Sequence, residues 1–250
     1  MRKNVFFATL FFFGFGIASA FAVNKEGGMF SANARVDASS KYVFRGIERS
    51  DGLTVQPQLK LGLMGFALGA FTNIDLHDKN DMKFKPTEIH LSFGYGLKLL
   101  DMLGASAGLK YYLIPEIMDS NLKDPTELYA SIFWDLIVQA GLNAYYDFRV
   151  AKAPLIVAEL GYSHDLAGII IAGLSVDGSI EAGLGLLDYN KNTWGVDKQG
   201  LSYIDVTLAT PFKVAGVFKA GPQITYSRIM QDIAGEKNHI FGGVFAELDI

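Results

Sequence analysis

One pattern recurs along this chain of 250 residues. Segments of about ten residues carry an apolar side chain at every second position, the signature of a two-sided strand. At the C-terminus Val244, Ala246, Leu248 and Ile250 alternate with Phe245, Glu247 and Asp249. Near the other end Phe30, Ala32, Ala34, Val36 and Ala38 alternate with Ser31, Asn33, Arg35, Asp37 and Ser39. If both segments belong to one sheet, that sheet can close on itself, and a closed sheet is the only β-structure able to cross a bilayer.

Half of the residues are apolar, yet after Ile17 no run approaches the roughly 18 apolar residues of a membrane helix. A barrel resolves this by turning its apolar faces outward to lipid, so strands of about ten residues have the right length to cross. The first residues form a separate unit. Arg2 and Lys3 precede an apolar run from Val5 to Ile17 and the small triplet Ala18, Ser19 and Ala20, the layout of a secretory signal peptide. Residues 1–20 are therefore expected to be a cleaved leader and residues 21–250 a single barrel domain. The absence of cysteine rules out both a disulfide framework and a lipidated cysteine at the cleavage site. A net charge of −4 argues against nucleic acid as a partner.

The alternation continues through Val55–Leu63, Leu68–Asp75, Glu88–Leu97, Ala105–Leu113, Leu128–Trp134, Val138–Phe148, Ile156–Tyr162, Ile204–Leu208 and Val214–Tyr226. Joints fall into two classes: short ones at Met64–Phe66, Lys98–Leu103, Asp135–Leu136 and Pro211–Phe212, and longer polar ones at Arg45–Gly52, His77–Pro86, Pro115–Pro125 and Asp188–Gly200. Short periplasmic turns alternating with longer external loops are a barrel feature. The Asp177-Gly178 pair is a hairpin signal, but accepting it gives an odd strand number, against the even numbers of bacterial barrels. Gly168–Leu187 is therefore read as one long or bulged strand. The expected fold is all-β: a transmembrane, antiparallel, up-and-down β-barrel of twelve strands, with ten and fourteen as the neighbouring counts. Tyr42, Phe44, Tyr111, Tyr112, Tyr145, Tyr146, Phe148, Tyr162, Tyr203 and Tyr226 are assigned to an outer aromatic girdle, and Phe66, Trp134 and Phe212 to an inner one.

The first strand and loop, from Ser39 to Gly62, contain Ser40, Tyr42, Phe44, Arg45, Gly46, Ser50, Asp51, Gly52 and Gln56. This stretch resembles the N-terminal part of the TorF family, proteobacterial proteins assigned as outer-membrane porins, and Tyr203 and Asp205 are similar to that family's late Tyr-x-Asp strand. The resemblance implies a channel-type barrel in the outer membrane and brings no substrate with it. Physically, Gly46 and the Asp51-Gly52 pair suit sharp turns. Arg45 is placed to reach Asp51 or a carboxylate folded into the lumen, and to act as a loop brace or as a selector of solutes.

With the apolar alternates facing lipid, the lumen receives Arg35, Lys60, Lys110 and Lys219 against Asp37, Glu88, Glu127, Asp147, Glu159, Glu181, Asp205 and Glu247, with His90 beside them. Carboxylates in excess favour cations. The expected function is a narrow porin for passive diffusion of small hydrophilic solutes with a mild cation preference. The alternatives are a non-conducting scaffold whose charges pair off, an adhesin or receptor, and, least favoured, a barrel hydrolase. Glu88, His90 and Ser92 share a face but lie about 6.6 Å apart from one to the next, too far for a catalytic relay, so no catalytic residue is assigned. Neither cofactor nor metal is expected; Asp188, Tyr189, Asn190 and Asn192 could ligate calcium but are ordinary loop content. The expected partners are outer-membrane lipid, the barrel-assembly machinery, periplasmic chaperones and the solutes themselves.

Overall fold

The alternating segments build a closed ring. The structure is a computed structural model and describes residues 30–77, 83–114, 124–166, 173–215, 217–231 and 238–250. The leader expected over residues 1–20 and residues 168–172 of the long segment lie outside this set. Strand β1 (Phe30–Ser39) is followed by a small hairpin, β2 (Tyr42–Phe44) and β3 (Ile47–Ser50). The ring then continues through β4 (Thr54–Leu63), β5 (Phe66–Asp75), β6 (Pro86–Leu100), β7 (Leu103–Leu113), β8 (Thr126–Trp134), β9 (Gln139–Asp147), β10 (Ala153–Asp165) and β11 (Ser175–Gly185). A six-residue helix, α1 (Tyr189–Trp194), precedes β12 (Gly200–Ala209), the short β13 (Phe212–Ala215), β14 (Phe218–Ile229) and β15 (Asn238–Asp249).

Each long strand pairs antiparallel with the next; β12 pairs with β14, and β15 returns to β1. The result is a closed barrel of 12 strands, as the parity argument required. Asp177 and Gly178 lie inside β11, and Gly178 is opposite Tyr162 on one side and Leu208 on the other, so no hairpin forms there. Of the long or bulged strand expected over Gly168–Leu187, the structure forms Ser175–Gly185, with a register shift at Gly183/Leu184. Followed once round the ring, the pairings return to β1 displaced by about sixteen residues, a stagger that tilts twelve strands by roughly 45°.

Local chemistry explains the joints. Between β4 and β5, Met64 (φ 51) and Gly65 (φ 88) form a two-residue turn with both φ values positive, whose twist matches that of the flanking strands. Arg45 (φ 52) and Gly46 (φ 82) repeat it at the tip of β2–β3. Joint length does not follow the expected rule strictly. Phe148–Lys152, at the loop end, is short, and Asp147 accounts for it by accepting the N–H groups of Arg149, Val150 and Ala151 at 2.9, 3.1 and 2.8 Å. At the opposite end the β10–β11 joint runs over 166–174, and β13 lengthens the β12–β14 joint.

The faces sort as the alternation demands. Outward positions such as Leu91, Leu128, Leu142, Leu160, Ile180 and Leu208 are exposed, while Asn73, Asn143, Glu159 and Ser227 are buried inside the ring. This is the reverse of a soluble protein. The girdle assignment needs correction because neighbours along a strand face opposite ways. Tyr111, Tyr146, Phe148 and Tyr226 stay on the outer face, but Tyr42, Tyr112, Tyr145 and Tyr203 are buried within the barrel, and Phe44 packs there against His90. Tyr162, near the end of β10, sits at the end that carries the chain termini, on the side of Phe66, Trp134 and Phe212.

The β1–β15 seam is tight. Ala32 and Ile250 exchange backbone hydrogen bonds of 2.9 and 2.8 Å. A Cβ placed on Gly243 would strike the Ala38 carbonyl oxygen and come within 3.0 Å of the Ser39 Cα. Gly243→Ala is therefore expected to push the seam apart and destabilise the barrel by about 1–3 kcal/mol. An unshifted urea midpoint for the refolded variant would contradict this.

Candidate functional site: the charged lumen

The hairpin tip enters the barrel instead of standing above it. Because the Arg45-Gly46 turn is only two residues long, it projects Arg45 directly off the end of β2. Its guanidinium forks onto Glu127 of β8, with Nη1 at 2.6 Å from Oε1 and Nη2 at 2.9 Å from Oε2. It also donates to the Tyr189 hydroxyl at 3.0 Å and the Tyr112 hydroxyl at 3.4 Å, while Tyr112 donates to Glu127 at 2.6 Å. Phe44 lies 5.1 Å from the His90 ring and 5.9 Å from the Tyr112 ring. A Cβ on Gly46 would lie 3.0 Å from the Tyr203 Cβ and 3.3 Å from the Ile229 Cβ, so only glycine lets the tip seat against β12 and β14. Asn73 of β5 donates to Ser50, and Glu48 holds Lys41 at 2.7 Å and faces His239 of β15 at 3.2 Å. The hairpin is thus anchored on opposite walls. Of the two partners expected for Arg45, the lumen carboxylate is the one found; Asp51 instead faces Lys41 at 3.6 Å, because the turn points Arg45 away from it.

All thirteen lumen residues named from the sequence point inward, but they do different things. On β14, β15, β1 and β4 the polar groups bond one another out. Arg35 donates to both Asp37 oxygens at 2.8 and 2.6 Å, to Gln223 at 2.9 Å and to Glu247 at 3.5 Å. Asn33 donates to Glu247, while Gln58 and Gln223 both donate to Asp37. The Arg35 guanidinium also stacks 4.0 Å from the Phe245 ring. Lys219 is in register with Glu247 on the same wall. Such a connected network braces the wall. Asp147 is taken up by its turn, and Glu88 lies 2.9 Å from a His90 ring that is boxed by Phe44, Phe71 and Tyr112.

The opposite wall is different. Glu159, Glu181 and Asp205 are direct cross-strand neighbours on β10, β11 and β12. Like charges in register destabilise a sheet. Each takes a hydrogen bond from a neutral donor: Asn143 to Glu159 at 2.9 Å, Tyr203 to Glu181, and Ser227 to Asp205. Among the described residues none of the three has a cation within 4.0 Å, and Glu159 Oε2 has no hydrogen-bond partner although the residue is 2% exposed. Lys60 and Lys110 face this row from β4 and β7, within Coulombic range of Glu159. The Lys110 ammonium rests 4.8 Å from the centre of the Tyr145 ring, and Arg45 lies 5.1 Å from the same ring.

Asp177 also points inward, where Ser163 donates to it at 2.6 Å. Its spacing from Glu181 carries the right alternation, but the following glycine marks it as a turn residue. Gln58 and Gln223 bear no charge and gave no sequence signal, and Tyr189 drew notice only as a candidate calcium ligand, not as a partner of Arg45. In the loop mooted for calcium, Asn190 donates to the Lys198 carbonyl, Asn192 to the Ala151 carbonyl, and Tyr189 is held by Arg45, so these side chains fasten α1 down.

No family model and no curated protein matches the chain. Solved structures do. The barrel superposes on the NanC porin with a TM-score of 0.52 at 11% identity, over 88% of this chain and 98% of that one. It superposes on the KdgM porin, solved with a disordered oligogalacturonate, with a TM-score of 0.50 at 9% identity, over 88% and 99% of the two chains. The fold is that of these porins. At such low identity the likeness extends to architecture alone, and the lumen chemistry is this chain's own.

Proposed function

We propose that this protein is an outer-membrane porin of narrow bore that passes small hydrophilic solutes by diffusion and mildly prefers cations. The observation that carries this reading is the Glu159, Glu181 and Asp205 row. In a dry interior, carboxylates without cations would cost several kcal/mol each, so the row calls for water and mobile cations beside it. Twelve strands lie between the side-chain-filled barrels of eight and the open porins of sixteen. The porin architecture of NanC and KdgM supports the class, and the residues from Ser40 to Gln56 support kinship with the TorF family. A polyanion such as the oligogalacturonate seen with KdgM would meet three carboxylates here, which argues against that solute class. The apolar outer face supports outer-membrane lipid as its surroundings; delivery by periplasmic chaperones and the barrel-assembly machinery belongs to the same proposal.

A second reading, a closed scaffold, draws on the hairpin tip fastened across the lumen. Planar-bilayer recording separates the two. The porin reading expects discrete conductance steps and a reversal potential on the cation side in a potassium chloride gradient, and a complete lack of steps would sink it. The double variant Glu181→Gln, Asp205→Asn is expected to move that reversal potential toward zero; an unmoved value would place the selectivity elsewhere.

A further inference from the structure

The lumen at mid-height separates charge across its width. Allowing for the stagger of the strands, Glu159 and Glu181 stand close to the level of Lys110, and the Lys60 backbone lies roughly 10 Å below that of Lys110 toward the terminal end, so that its long side chain must reach up to the row. Lys110 senses Glu159 and Glu181, and Lys60 senses Glu159. One wall is therefore anionic and the facing wall cationic, and a solute at this level experiences a field directed across its path. Among the described residues, two buried polar atoms on this level have no hydrogen-bond partner: Glu159 Oε2 and the hydroxyl of Tyr129, whose residues are 2% and 4% exposed. Glu159 Oε2 is an acceptor awaiting a donor, and its charge favours a cationic one.

We infer that the waist selects small zwitterions bearing an ammonium and a carboxylate, such as free amino acids. The ammonium donates to Glu159 Oε2 and lies against Glu181, while the carboxylate turns toward Lys110 and Lys60. A neutral solute of the same size gains nothing from the transverse field, and a simple cation interacts with one wall only. Arg45, its charge met by Glu127 just above, adds no net charge but narrows the approach. The inference rests on the porin reading and deepens it by naming a solute class.

Liposome swelling with the reconstituted full barrel tests it, using L-threonine against erythritol, both four-carbon solutes, and 1,4-diaminobutane as a cation without a carboxylate. Threonine is expected to enter about fivefold faster than erythritol and faster than the diamine. Glu159→Gln and Lys110→Gln, each checked for heat-modifiable migration as a sign of folding, are each expected to bring the threonine-to-erythritol ratio close to one. Equal entry of threonine and erythritol into wild-type liposomes overturns the inference, as does an advantage that survives Lys110→Gln, which would reduce the site to plain cation attraction. The wild-type comparison needs no variant to fold. A barrel that conducts no ions would remove the porin reading itself, whereas conductance without zwitterion preference removes only this inference.

Discussion

Arg45→Ala is expected to raise single-channel conductance at least about twofold and to shift selectivity further toward cations. Arg45 holds the hairpin tip in the lumen through a forked pair with Glu127, a residue only 2% exposed. Removing one partner of a buried ion pair costs about 3–5 kcal/mol because the other charge is stranded. Water in the lumen brings this toward the lower figure, and about 3 kcal/mol still shifts an equilibrium by roughly a hundredfold. The contacts that remain, Phe44 on His90, Asn73 on Ser50 and Glu48 beside His239, do not take the place of the fork at the tip. The tip should therefore leave its seat, widen the path and expose Glu127 to passing ions. Arg45→Lys keeps the charge but loses the fork and should fall between the two. A folded Arg45→Ala barrel with wild-type conductance and reversal potential would show that the tip does not restrict the path.

The second large effect concerns the outer face. Ile180 lies on β11 midway between the ends, is 48% exposed and pairs with Leu160 and Val206. Ile180→Arg should destabilise the inserted barrel by about 2–4 kcal/mol, because it places a charge in hydrocarbon at mid-depth. Leu201, second residue of β12 at the loop end, offers the contrast. There arginine reaches the headgroups, and Leu201→Arg should cost about 0–1 kcal/mol. Urea titrations of the two variants in lipid vesicles measure the difference. Equal costs would mean that the apolar band does not meet a bilayer.

The two effects differ in how far the sequence foretells them. Ile180 is placed by alternation alone: with Ser179 and Glu181 beside it, only one assignment keeps the charge out of lipid, and the same period sent all thirteen named residues inward. The parity of the strand count likewise settled how Asp177-Gly178 must be read. Period two has a limit, because it says which side of the sheet a residue faces and not what stands across from it. Tyr111 and Tyr112 illustrate this. Grouped by position they looked like one girdle, but their alternation puts one on the outer face and the other against Arg45 and Glu127.

Alternation in the residues themselves determined a closed antiparallel barrel and its inside and outside, and Gly46 suited a sharp turn. These are local consequences of side-chain period and backbone conformation, so they can be read along the chain. The β2–β3 hairpin, within what reads as one long joint from Arg45 to Gly52, is seen only in the structure. Tertiary structure alone decided that the hairpin tip folds inward to Glu127, that Arg35, Asp37, Gln223 and Glu247 bond one another out, and that Glu159, Glu181 and Asp205 line up on the other wall. Those relations depend on the register of twelve strands and on the stagger accumulated round the ring. Each step is small, but their sum selects which residues, 82 apart for Arg45 and Glu127 and 212 apart for Arg35 and Glu247, share one level of the lumen.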